Sequence, residues 1–163
     1  MTNITSEPAA NLETKIQRAY TSLRAAILAR KHELSQEAGA LALKFVLAPT
    51  DTASRDQAIL LKYEISGLDI ALDRIDGEWR CRESLQRFPK AARTTLMSTR
   101  DFYKQEAEQY CLRIVDCDPA GTQYAEGHTQ AMRSHHAHRA HEYLLAQFVE
   151  LFTDVLQVMD EPT

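Results

Sequence analysis

Along most of this chain apolar residues recur three and four positions apart, the spacing that keeps side chains on one face of an α-helix. The first such row is Leu12, Ile16, Tyr20, Leu23, Ile27, Leu34, Ala38, Leu41 and Phe45, interrupted only by Arg30. It ends at Pro49, whose ring cannot continue a helix. Beyond the turn at 49–53, Ser54 and Gln57 have capping-box spacing and predict a second helix start. Its stripe is Ala58, Leu61, Ile65, Leu68, Leu72, Ile75 and Trp79, followed by Leu85 and Phe88, with Pro89 closing it. Gly77 lies inside this run and is a candidate C-cap that would break or kink the helix. A third row, Leu96, Tyr103, Ala107, Tyr110, Ile114 and Cys117, begins near Pro89, or at Ser98 with Asp101, and stops at the turn 118–122. The fourth holds Tyr124, Ala131, His135, His138, Leu145, Phe148, Val149, Phe152, Val155, Leu156 and Met159, ending before Pro162.

Long helices joined by short turns must lie antiparallel to their neighbours. The pattern therefore predicts an all-α, up-down-up-down four-helix bundle with long, coiled-coil-like helices. Residues 11–160 form one domain in this reading, and residues 1–10 a flexible N-terminus. The alternative architecture is an assembly in which helices from two chains share one core. A length of 163 residues, 44% hydrophobic and 26% charged, with 5 Gly and 5 Pro, fits a single globular helical domain.

The net charge of −4 argues against general polyanion binding, which rests on surplus Lys and Arg, so nucleic acid is not the favoured partner. Residues 1–11 carry neither a basic start nor an apolar run, and no segment has the roughly 20 apolar residues of a membrane helix. A cytoplasmic location with no membrane partner is the expectation. The 3 cysteines, Cys81, Cys111 and Cys117, cannot all pair and form no C-x-x-C, so they read as small buried or half-buried hydrophobes.

Candidate chemistry gathers in the fourth helix, where His128, His135, His136, His138 and His141 lie close together. Steps of seven, three and four put His128, His135, His138 and Glu142 on one face, continuous with Leu145, Val149 and Phe152. Imidazole and carboxylate at that spacing suit a transition metal such as zinc or iron, with His135, His138 and Glu142 as ligands and His128 as a fourth. The pair His138 and Glu142 is similar to one fragment of the hemerythrin pattern, whose other His-x-x-x-His helix this sequence lacks. A competing account needs no metal. If helices one and four are neighbours, Arg30 and Glu142 form a partly buried ion pair with His138 hydrogen-bonded beside it. No cofactor is expected on that account.

Arg133 and His138 also match the Arg-x4-His part of the motif of the HEPN superfamily, all-α ribonucleases that act as dimers. The resemblance implies acid/base and phosphate-contact roles for these two residues in a cleft between protomers.

Two surfaces suggest partners. Arg80, Arg82, Arg87, Lys90, Arg93, Arg100 and Lys104, set against Glu83 and Asp101, concentrate positive charge at the second turn. Such a cluster docks an acidic protein or a phosphate backbone, unless it is simply a solvated helix end. The apolar arc from Tyr143 to Met159, with Leu144, Leu151 and Val155 beside the main stripe, is wider than one bundle seam requires and points to a protein partner or self-association. Asp69, Asp73 and Asp76 read as a solvated acidic face, and no glycine-rich phosphate loop or nucleophile elbow occurs. The leading expectation is a non-catalytic interaction or assembly protein; a metal-binding bundle and a HEPN-like ribonuclease are the alternatives.

Overall fold

A computed structural model describes residues 7–160. Five helices follow in order: α1 Glu7–Leu47, α2 Thr52–Cys81, α3 Phe88–Ile114, α4 Thr122–Leu151 and α5 Thr153–Asp160. A single 3₁₀ turn, Leu85–Arg87, precedes α3, and the described residues contain no strand. Among them, no helix is long and apolar enough to cross a membrane.

Side-chain pairs fix the direction of each helix. Arg30 meets Glu64 at 3.2 Å and Arg24 meets Asp76 at 3.2 Å, so α1 and α2 are antiparallel. Ser134 donates to Glu106 at 2.6 Å, and Tyr103 packs on His141 at 5.5 Å, so α3 and α4 are antiparallel too. Tyr63 and Gly67 of α2 meet His136 of α4, while Leu68 and Ala140 share one cleft, so these two helices run parallel. The result is an up-down-up-down four-helix bundle made of two hairpins, closed along α2 and α4.

Glycine explains why those two helices come so close. A Cβ at Gly67 would lie 2.7 Å from the His136 carbonyl oxygen and 3.1 Å from the Ala137 Cα, both backbone atoms that cannot swing aside. Without that carbon, α2 can settle directly against the small face of α4.

The core fills the end of the bundle where α2 turns into α3. Ile16, Leu23, Ile27, Leu68, Ile75, Leu96, Leu144 and Phe148 are buried there. Tyr20 stacks on Trp79 at 3.9 Å, Phe88 meets the two rings edge-on at 5.7 and 4.9 Å, and Phe148 stacks on Phe152 at 4.3 Å. Offset and edge-on aromatic pairs add to the burial of apolar area. The Tyr20 hydroxyl donates to Asp76 at 2.7 Å; burial, and then this carboxylate, push its pKa up to about 12.

Several boundaries differ from those the sequence suggested. Residues 7–10, expected to be flexible, are the first turn of α1; residues 1–6 lie outside the described part. Asp51 rather than Ser54 caps α2: its carboxylate accepts from the Ser54 amide at 3.1 Å and the Ser54 hydroxyl at 2.6 Å, which holds its pKa down. Gly77 causes no break, and α2 runs through it to Cys81. Leu85 and Phe88 fall beyond that end, so Pro89 opens α3 instead of closing α2, as a residue without an N–H can in a first turn. The last helix is interrupted at Phe152 (φ −101°, ψ 9°), where its ring packs on Phe148 and Phe88. Cys81 and Cys111 are exposed rather than buried or half-buried, while Cys117 is half-buried. Asp69 and Asp76 are not a free acidic face either, since they pair with Lys31 and Arg24 of α1.

Candidate functional site

Helix α4 buries a row of small residues. Ala131, Ser134, Ala137, Ala140, His141, Leu144 and Phe148 face the interior, so of the row read as inward His128, His135 and Glu142 turn toward solvent, while His138 is half-buried against α3. His135 and Glu142 are exposed, and His128 stacks on Tyr124 at 5.9 Å. The Arg30 and Glu142 pair does not form. Arg30 binds Glu64 at 3.2 Å and Glu33 at 3.6 Å, because α2 stands nearer to α1 than α4 does.

His138 is the ordered member of this row. Its Nδ1 lies 3.1 Å from the Arg100 carbonyl oxygen, which only accepts, so the proton sits on Nδ1. Nε2 faces Glu142 Oε1 at 3.4 Å. A carbonyl-oriented imidazole is how many metal-binding histidines are held, with the other nitrogen directed at the ion. The remaining ligands do not gather around it, however, and no three His, Cys, Asp or Glu side chains among the described residues are placed to share an ion. Arg133 is exposed and five residues from His138, about 140° around the helix, so one chain does not bring the two together.

His135 and His138 border a groove of about 880 Å³ between α3 and α4. Ala107 and Ala131 make its floor, Leu112 and Met132 its apolar walls, and Lys104 and Glu108 its charged rim. Small residues deepen the groove, and long ones wall it.

At the opposite end, Arg82 lies over the Trp79 ring at 4.1 Å and donates to the Trp79 carbonyl, while Arg87 pairs with Glu83. Arg80, Lys90 and Arg93 are exposed beside them. The predicted basic end therefore exists, and Arg82, Arg87 and Arg100 are among its cations engaged by neighbours in sequence. Of the arc assigned to a partner, Leu144 and Val155 are buried and the half-buried Leu151 packs against the same core, while Tyr143, Val149 and Val158 stay exposed.

Unsatisfied apolar surface lies at the other tip. Between Ala38 and Ala58, and again between Ala107 and Ala131, no residue is buried, although all four helices continue through these stretches. Leu43, Val46, Leu47, Ile59, Leu60, Leu112 and Val115 are exposed there, Leu47 at 76% and Leu112 at 73%.

Sequence reasoning missed two histidines that face inward. His141 is fully buried; Nδ1 lies 2.7 Å from the Ala137 carbonyl and Nε2 has no partner. Burial holds its pKa below the usual histidine value. Half-buried His136 is lowered by burial first and then by the positive field of His135 and Arg139. The available signal was the alanine spacing on α4, which marks a close helix contact.

Compared with family models, with curated proteins and with solved structures, the chain matches none of them.

Proposed function

We propose that this chain is a non-catalytic assembly module whose open tip packs against the same tip of a second copy. The observation supporting this is the early end of the core: buried residues stop at Ala38, Ala58, Ala107 and Ala131, while four helix ends run on beyond them. Both hairpins are unfinished at one end, and each shows exposed aliphatic side chains, Leu43, Val46, Leu47, Ile59 and Leu60 on one and Leu112 and Val115 on the other. Apolar surfaces of this kind complement one another, so a twofold pairing covers both hairpins at once. Charges around the tip are mixed in sign, with Lys44, Arg55 and Arg113 beside Asp56, Asp116 and Glu126, so two tips do not repel as like-charged surfaces.

Light scattering across a concentration series tests this reading. The expected outcome is a dimer that dissociates on dilution, and a Leu47→Glu, Leu112→Glu variant that is monomeric with an unchanged helical signal. A monomer at every concentration, or a variant that dimerises as tightly as the parent, overturns it.

A further inference from the structure

A separate cleft lies where α1, α2 and α4 meet, about 360 Å³ in volume. Helix α4 turns His136, Arg139, Ala140 and Tyr143 into it, residues spaced three, one and three apart and so on one face. From the other hairpin come Arg30, Glu33 and Glu64, with Leu68 and Ala140 as its apolar floor. The close Gly67 contact holds the two walls in place.

The charges in this cleft are unequally used. Arg30 is engaged by both Glu33 and Glu64. Arg139 makes no ion pair among the described residues, and the Tyr143 hydroxyl has no hydrogen-bond partner among them. Burial keeps His136 in its neutral form near pH 7, in which one ring nitrogen donates and the other accepts. A free guanidinium, a free phenol and a neutral imidazole thus line one recess over an apolar floor.

We infer that this cleft binds a small monocarboxylate with an apolar body, its carboxylate held by Arg139 and Tyr143 and its body against Leu68 and Ala140. The guanidinium fork matches the two oxygens of a carboxylate, and Tyr143 supplies a further donor. Glu33 and Glu64 set the charge limit. They leave room for one negative charge paired with Arg139 but oppose a phosphate dianion. The apolar floor of Leu68 and Ala140 disfavours a strongly hydrated ligand, since it offers no polar partner. A pocket of this volume takes a small aromatic or branched acid.

Benzoate is a suitable probe, followed by amide chemical shifts and calorimetry on the full chain, with inorganic phosphate and benzamidine as comparators. Saturable benzoate binding is expected with Kd of about 1 mM or tighter. Shifts should centre on residues 136–143 and 64–68, and phosphate and benzamidine should bind far more weakly. Arg139 is exposed, so Arg139→Gln should keep the thermal midpoint while losing roughly tenfold or more in affinity. Tyr143→Phe should lose less. The inference fails if benzoate shows no saturation, if Arg139→Gln binds as well as the parent, or if benzamidine binds equally. None of these outcomes bears on tip pairing, which involves other residues.

Discussion

Two single positions on facing helices decide how the hairpins close. Gly67 has no room for a Cβ, because the His136 carbonyl and the Ala137 Cα already fill that space. Gly67→Ala must push α2 from α4, and the overpacking should cost about 1–3 kcal/mol despite alanine's better helix propensity. Gly77→Ala is the control: nothing lies within 4 Å of a Cβ there, so the same change should stabilise or be neutral. Chemical denaturation of both variants measures the difference, and equal stabilities would mean the close contact is absent. His141 sits beneath this contact, with Tyr103 of α3 against its ring and the Arg74 charge nearby. Its folded pKa is depressed below the unfolded value, so the unfolded chain binds the proton more tightly. Stability from this group is complete above about pH 6.5 and is lost as pH falls toward the lower folded pKa. His141→Leu should therefore flatten the fall in thermal midpoint between neutral pH and pH 5. A variant as acid-sensitive as the parent would exclude His141 as the cause.

At the level of helices, the periodic rows and prolines located four runs and their turns, because leucine, isoleucine and phenylalanine mark a buried face strongly. The face of α4 was not legible. Its inner row is mostly Ala131, Ser134, Ala137 and Ala140, whose side chains contribute little hydropathy, so the eye follows His135 and His138 into Leu145 and Val149. That rotation by roughly one residue misplaced the proposed metal ligands and the Arg30 partner together, and it hid the cleft formed by His136, Arg139 and Tyr143. The choice of cap failed for a simpler reason. Ser54 and Gln57 have the right spacing, but Asp51 reaches the same amide first and accepts the Ser54 hydroxyl as well. Asp51→Ala should thus lower the thermal midpoint, whereas Asp51→Ser, which keeps a capping oxygen, should restore most of it. Acid should lessen the difference between parent and alanine variant, since the carboxylate's contribution is present above the unfolded pKa and lost as pH drops through the depressed folded one. If alanine is as stable as serine at neutral pH, the cap contributes nothing.

Over the whole molecule, stability is distributed along the bundle axis. Rings from α1, α2, α3 and the Phe152 break interlock at one end, whereas at the other no residue of 39–57 or 108–130 is buried. Local opening costs least where few apolar contacts are lost, so the tip should open well below the global unfolding free energy. In a dilute monomer, amides of residues 39–57 and 108–130 should exchange much faster than those of residues 66–76 and 134–150, whose side chains enter the core. Pairing of two tips would bury this apolar surface and stabilise only the state in which it is formed. Raising the protein concentration should then slow exchange at the tip selectively and leave core rates unchanged, and the Leu47→Glu, Leu112→Glu variant should remain fast at every concentration. Uniform slow exchange in the dilute parent would show that the hairpins close along their full length without help. Fast tip exchange that never responds to concentration would leave the uneven bundle intact but remove the second copy as the surface's occupant.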